Sequence, residues 1–126
     1  MTKRDQIFKC TACGNIVEIV GSGIGTMVCC GQTMKSMKEN NTDASVEKHV
    51  PVVTVTASKT SIKVGEIEHP MEETHFIEWI ELIVDDRTDK QFLHPGEKPE
   101  IEFHIAPKKY IARAYCNVHG LWKSEK

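Results

Sequence analysis

Residues 50–65, VPVVTVTASKTSIKVG, decide the fold of most of the chain. Two runs rich in valine, isoleucine and threonine, VPVVTVT and SIKVG, flank a short polar turn. β-Branched side chains favour strands, and two such runs around a short turn predict a β-hairpin. We therefore predict that a β-domain begins at about residue 46.

Further strands are predicted downstream. The segment EIEFHIA alternates, with Ile101, Phe103 and Ile105 on one face and Glu102 and His104 on the other. YIARAYC predicts another strand. HFIEWIELIV also permits a helix, because its large apolar residues are spaced as on one helical face. Its aromatic and β-branched content, and the turn DDRTD after it, favour a strand.

Composition narrows the class of protein. The chain has 126 residues, 40% hydrophobic and 27% charged, which is typical of a globular protein. Its net charge of −2 offers no broad basic field, so no nucleic-acid partner is expected. The polar start MTKRDQIFKC predicts no signal peptide, and no apolar run approaches the roughly 20 residues that span a bilayer, so no membrane association is expected. We expect a cytoplasmic protein.

The cysteines form a cluster with metal-ligand spacing. CTAC supplies Cys10 and Cys13, and after fifteen residues CC supplies Cys29 and Cys30. A glycine follows each pair and allows the backbone to turn tightly around a metal. Five cysteines in a reducing compartment favour metal binding over disulfides. A segment of about 37 residues buries too little apolar surface to fold alone, so a metal would supply the missing stability.

Spacing alone leaves the metal open between structural zinc and redox-active iron. The adjacent pair Cys29 and Cys30 is unusual, because consecutive side chains diverge and strain a tetrahedral site. In spacing and length the segment resembles desulforedoxin, a small protein in which four cysteines hold one iron. That resemblance implies iron.

A second set of ligand types lies at predicted strand ends and in loops, where metal ligands can converge. Imidazoles with one thiolate suit iron, copper or zinc, but zinc usually stops at four ligands. Five candidates therefore favour iron with one open position. We predict that His94 and His104 are ordinary loop and strand residues. The five candidates are His49, His69, His75, Cys116 and His119.

The motifs EKHVP, HPMEETH and CNVHG, behind a desulforedoxin-like segment, resemble the desulfoferrodoxin family, the two-domain superoxide reductases. The resemblance implies a small rubredoxin- or desulforedoxin-like domain over residues 1–37, a linker over 38–45 (KENNTDAS), and an immunoglobulin-like antiparallel β-sandwich over 46–126. It also implies a second iron, with the four imidazoles of the set in a plane and the Cys116 thiolate axial.

The implied reaction is one-electron reduction of superoxide to hydrogen peroxide. Superoxide is an anion and the chain is slightly acidic, so a local charge must attract it, and Lys48 is the candidate. Neighbours in a strand face opposite sides, so Lys48 and His49 share a site only if residues 47–49 form a loop, which we predict. The resemblance implies that Glu47 occupies the sixth position of ferric iron. It further implies rubredoxin as electron donor and a homodimer.

Two other functions fit parts of the sequence. The same iron would make a superoxide dismutase if superoxide also re-reduced it. The cysteine cluster alone would permit a zinc-ribbon binding module with a β-sandwich domain, although the second ligand set and the missing Lys/Arg cluster disfavour this. For the first iron, both an electron relay and a structural role are open.

Overall fold

The protein is described here by a computed structural model that covers residues 1–42 and 48–126. Across these residues the chain forms only strands, turns and loops, which confirms the prediction of a mainly β protein. The chain divides into two compact units, Met1–Lys38 and Glu39–Lys126. In the described ranges no helix has the length and apolar character needed to cross a membrane.

The first unit is built from five short strands around very few apolar side chains. Strand β1 is the centre of an antiparallel sheet with the order β2-β1-β5, and β3 pairs with β4 in a hairpin. Its buried apolar residues include Ile7, Ile19 and Met34, a core too small to stabilise a unit of this size. The strands are β1 (Ile7–Lys9), β2 (Ile16–Glu18), β3 (Val28–Cys29), β4 (Gln32–Thr33) and β5 (Lys35–Ser36).

The second unit is a sandwich of two antiparallel sheets. One sheet has the order β10-β7-β6 and the other β12-β11-β8-β9. Their facing sides share one core, which includes Ile62, Ile80, Leu82 and Ala114. Seven strands in a three-plus-four sandwich match the immunoglobulin-like architecture, as predicted. The strands are β6 (Pro51–Val55), β7 (Thr60–Val64), β8 (Ile77–Val84), β9 (Arg87–Phe92), β10 (Glu100–Phe103), β11 (Ile111–Cys116) and β12 (Gly120–Glu125).

The helical alternative for HFIEWIELIV is wrong, because this segment contains strand β8. Both faces of β8 are covered, so large side chains occur at consecutive positions and imitate a helical stripe. Ile80 and Leu82 face the sandwich core, while Trp79 on the other face stacks on Tyr115 with ring centroids 4.5 Å apart.

The predicted hairpin is confirmed, with β6 and β7 paired from Pro51–Val64 to Val55–Thr60. The strand predicted over EIEFHIA is shorter than expected: β10 ends at Phe103, and His104 lies in the bend after it rather than on a strand face. Pairing stops there because β7 begins at Thr60, the partner of Phe103, and its hydroxyl donates instead to the carbonyl of Ile105 (2.7 Å).

The unit boundary falls inside the segment predicted as a linker. Asn40 pairs with β12: its N–H donates to the Leu121 carbonyl (2.9 Å), and its own carbonyl accepts from the Lys123 N–H (2.8 Å). Glu39 forms an ion pair with Arg113 at 3.2 Å. These two residues therefore belong to the second unit, and residues 43–45 of the predicted linker lie outside the described residues.

Strand register brings distant segments to one end of the sandwich. Pro51, the first residue of β6, pairs with Val64 at the end of β7. Cys116, the last residue of β11, pairs with both Ile77 at the start of β8 and Gly120 at the start of β12. The residues just before β6, in the β7–β8 connection and in the β11–β12 turn must therefore meet.

Candidate metal centres

The four cysteines of the first unit converge on one point. Their sulfur atoms all lie within 4.8 Å of one another. Cys13 Sγ is 3.6 Å from Cys29 Sγ, which is 3.9 Å from Cys30 Sγ. Four sulfurs at about 2.3 Å from a central metal, in a tetrahedron, would be about 3.8 Å apart. The sulfur cage therefore fits a tetrahedral metal site.

The backbone explains how adjacent cysteines serve one site. Cys30 has φ +52° and Gly31 φ +71°, so the chain turns through the left-handed region at the second pair. This turn brings both side chains to the same side, where an extended strand would separate them. Backbone N–H groups point at the sulfurs: Cys13 N lies 3.5 Å from Cys10 Sγ, as metal-bound thiolates require.

The pKa values of these cysteines indicate that four thiolates would need a bound cation to be stable together. The N–H of Cys13 lowers the pKa of the Cys10 thiol to about 7, so one thiolate forms readily. The pKa of Cys30 is raised to about 12, chiefly because its thiol shares a hydrogen bond with Cys13. Deprotonation of each further cysteine is therefore unfavourable next to the thiolates and hydrogen bonds already present. A bound metal cation makes it favourable by balancing the negative charge.

The second group is a closed circle of four imidazoles. Ring centroids are 4.9 Å apart for His49 and His69, 4.9 Å for His69 and His75, 5.0 Å for His75 and His119, and 4.7 Å for His119 and His49. Neighbouring rings are inclined by 68–82°. The rings thus surround a common centre. Donor atoms of three of them and of Cys116 lie within 4.8 Å of one another, and His69 completes the circle by its ring contacts.

The nitrogens that face the centre can be assigned from the contacts. His69 Nδ1 lies 2.7 Å from the Pro70 carbonyl, which leaves its buried Nε2 without a protein partner. His75 Nε2 is likewise buried and unpartnered. His49 Nε2 is 3.0 Å from His119 Nδ1, the separation of about 3.0 Å expected for adjacent ligands at about 2.1 Å from a metal. Burial lowers the pKa of His69 to about 4, so this imidazole is neutral at pH 7, as a ligand must be.

Cys116 adds a thiol to the group of imidazoles. Its side chain is fully buried, and Sγ lies 3.9 Å from His119 Nδ1. Burial raises the pKa of this thiol, and the N–H groups of His119 and Val118 oppose the rise. The His119 N–H lies 3.5 Å from Sγ. A sulfur that is desolvated yet surrounded by donors fits a thiolate neutralised by a metal.

Family models match the chain over nearly its whole length. The model described as Desulfoferrodoxin, N-terminal domain, matches residues 2–37, and the one described as Desulfoferrodoxin matches residues 41–125. This chain belongs to the desulfoferrodoxin family. A desulfoferrodoxin from Desulfarculus baarsii is 54% identical over 125 residues, 99% of each chain.

Solved structures agree with this fold. The superoxide reductase from Treponema pallidum has a TM-score of 0.78 at 24% identity, covers 94% of this chain and is itself covered to 96%. The one-iron superoxide reductase from Giardia intestinalis has a TM-score of 0.57 at 31% identity, over 64% of this chain and 97% of its own. The fold of this chain is thus similar to that of the Treponema protein.

The structure brings nine predicted site residues of this family member into two groups, four in the first unit and five in the second. Lys48 and His49 lie in a non-strand segment before β6, as predicted. Glu47 lies outside the described residues. His94 is exposed, pairs with Glu97 at 2.8 Å and does not join either group.

Two supporting residues were not predicted from the sequence. Asn117 bridges the β7–β8 connection: its Oδ1 accepts from the Phe76 N–H (2.9 Å), and its Nδ2 donates to the Thr74 carbonyl (3.1 Å). It therefore clamps His75 from both sides. Gly65 has φ +80°, and a Cβ there would lie 2.6 Å from the backbone of Lys48. Asparagine and glycine occur in many turns, so nothing in the sequence selected Asn117 or Gly65 from the other residues of these types.

We expect Gly65→Ala to disturb the histidine group. A methyl group in contact with the Lys48 backbone forces the segment before His49 to move. The free energy of unfolding should fall by about 1–3 kcal/mol in urea titrations, from the strained backbone. Affinity for Co(II) at the histidine group should fall about tenfold, since supporting contacts typically contribute that much.

The matched control is Gly96→Ala. Gly96 has φ +90°, but its Cβ would meet no atom within 4 Å. Both variants suffer backbone strain, and only Gly65→Ala should weaken Co(II) binding. Equal Co(II) affinities for the two variants would show that the contact with Lys48 does not position the group.

Proposed function

We propose that this chain is a superoxide reductase, which reduces superoxide to hydrogen peroxide with one electron and two protons. The circle of four imidazoles together with a buried thiol is the observation that carries this proposal. Membership of the desulfoferrodoxin family and the likeness to the Giardia superoxide reductase support it. His119 is exposed, so a small anion can approach the group from solvent.

In this proposal the four imidazoles and the Cys116 thiolate hold iron. A ferrous ion held there would supply the electron that superoxide accepts. The neutral imidazoles leave the site without excess negative charge, while the buried thiolate adds electron density that favours oxidation. Water at the exposed side provides the two protons. Glu47 is proposed as the carboxylate that would bind the iron once it is ferric.

Lys48 is proposed to attract the substrate. The β7–β8 connection carries exposed carboxylates at Glu66, Glu68, Glu72 and Glu73, which repel an anion. Lys48 directly precedes His49 of the circle, and its backbone lies against Gly65. A Lys48 side chain turned towards the circle would place a positive charge beside it. A fixed cation beside the site both guides superoxide and stabilises developing negative charge on the product.

We expect Lys48→Ala to slow the reaction with superoxide about tenfold at low ionic strength, with a smaller difference at high salt. Pulse radiolysis at two salt concentrations measures this. Lys108→Ala, which removes an exposed charge in the β10–β11 connection, is the control and should change the rate by less than about twofold. Equal rate constants for the two variants would exclude Lys48 from substrate attraction.

We further propose that residues 1–37 fold around one iron held by Cys10, Cys13, Cys29 and Cys30, and that residues 46–126 carry the reacting iron. The connection between the two domains then lies within residues 38–45. The first iron either relays electrons or stabilises its domain. Rubredoxin is the proposed electron donor.

Exposed Val20, Ile24 and Val28 give the first unit an apolar surface that supports a homodimer. Five free thiols support a reducing, cytoplasmic location.

Metal analysis of anaerobically purified protein tests the two-iron proposal. Mass spectrometry should find two irons per chain. One zinc and no iron would contradict the proposal and support the alternative of a zinc-ribbon binding module, which needs only the cysteine cage.

A further inference from the structure

Trp122 contacts two members of the imidazole circle in different ways. Its ring stacks on His49, with centroids 4.6 Å apart and planes inclined by only 19°. Its indole N–H donates to the backbone carbonyl of His119 at 3.1 Å. One side chain thus joins the segment before β6 to the β11–β12 turn.

The backbone of Trp122 is held on both sides. In β12 it pairs with Ala114 of β11, and on the other edge it forms a bridge with Asn40. Two residues further on, the Ser124 hydroxyl donates to the Pro51 carbonyl (2.8 Å), which ties β12 to β6 two residues after His49. The indole is therefore mounted on a fixed strand, and the two histidines lie in loops that need support.

Other members of the group have orienting contacts of their own. His69 Nδ1 meets the Pro70 carbonyl, and the segment around His75 is clamped by Asn117. At the edge between His49 and His119 two ring nitrogens lie 3.0 Å apart. A stack fixes the plane of the His49 ring, and the N–H···O bond fixes the turn that carries His119.

We propose that Trp122 is a positioning residue that holds the His49–His119 edge of the imidazole circle and thereby slows loss of the metal. The proposal rests on the proposed histidine-bound iron. Partners that orient ligands typically change metal affinity 10- to 100-fold, so the effect is measurable without any assay of superoxide.

The test uses the full chain loaded with iron and reduced under anaerobic conditions. Release of Fe(II) to bipyridine is followed by absorbance, and iron of the cysteine cage serves as an internal reference. Trp122→Leu, which loses both contacts, should release the histidine-bound iron about tenfold faster. Trp122→Phe keeps a ring against His49 and loses the N–H, so its rate should lie about threefold above the native one.

Phe92→Leu is the control, because Phe92 is an aromatic residue of the same unit with 63% of its surface exposed and no part in the circle. Its release rates should equal the native ones. The electron paramagnetic resonance of the oxidised histidine centre should shift in both Trp122 variants and not in the control. Release within twofold of native for both Trp122 variants, or equal acceleration of the iron in the cysteine cage, would overturn the proposal. A native chain that never binds the second iron would instead refute the proposed function.

Discussion

Cys116→Ser should reduce the rate of superoxide reduction by at least about 100-fold. Groups that only orient a metal ligand change activity by up to about 100-fold, and the loss of a ligand itself should cost at least as much. The serine hydroxyl is not ionised at neutral pH, so the buried position beside the imidazoles loses its negative charge. The two N–H groups that face the sulfur would then face a neutral oxygen. Pulse radiolysis of the iron-loaded, pre-reduced variant measures the rate constant.

Val118→Ala is the control for this change. Val118 lies in the same turn and is 56% exposed, so its truncation alters the turn without touching the thiol. Its rate constant should remain within about twofold of native, as is usual for an exposed position. A Cys116→Ser protein that reacts as fast as Val118→Ala would remove the thiolate from the account.

Cys13→Ser should unfold the first unit and leave the second active. The unit Met1–Lys38 buries only a few apolar side chains, and domains below about 40 residues usually need a metal or another cross-link. Proteolysis should then cleave faster within the glycine-rich segment between Gly21 and Gly31 than it does in the native protein. The pre-reduced variant should react with superoxide within about threefold of the native rate, because the second unit has its own core.

Thr11→Ala is the matched control, because it changes the same CTAC loop and removes only the hydroxyl that accepts a hydrogen bond from Gln32. It should keep both the metal and the resistance to proteolysis. A Cys13→Ser protein with an intact first unit would show that the metal does not stabilise that unit. If Cys13→Ser abolished the reaction with superoxide as well as the fold of the first unit, the two units would not be energetically independent.

Local patterns accounted for much of the fold. Strand β7 and its hairpin partner follow from β-branched runs around a polar turn, and this information lies within 16 residues of sequence. The ligand residues were recognisable because cysteine and histidine clusters at these spacings have few other uses. The helix–strand ambiguity at β8 arose because burial on both faces removes the alternation that identifies a strand.

The supporting contacts could not be predicted, because they join residues far apart in the chain. Gly65 meets Lys48 only once β6 and β7 are paired, and Trp122 meets His49 across 73 positions only once β12 lies beside the residues before β6. Such contacts depend on register and on the sheet to which each strand belongs. A single glycine or tryptophan in the sequence carries no signal of either.

The most direct test is to count the products when the pre-reduced protein meets superoxide without an external donor. The account predicts one hydrogen peroxide for each superoxide consumed, one oxidised histidine-bound iron per event and no release of oxygen. Release of one oxygen for every two superoxide ions, with the iron returning to its ferrous state, would contradict it and identify a dismutase.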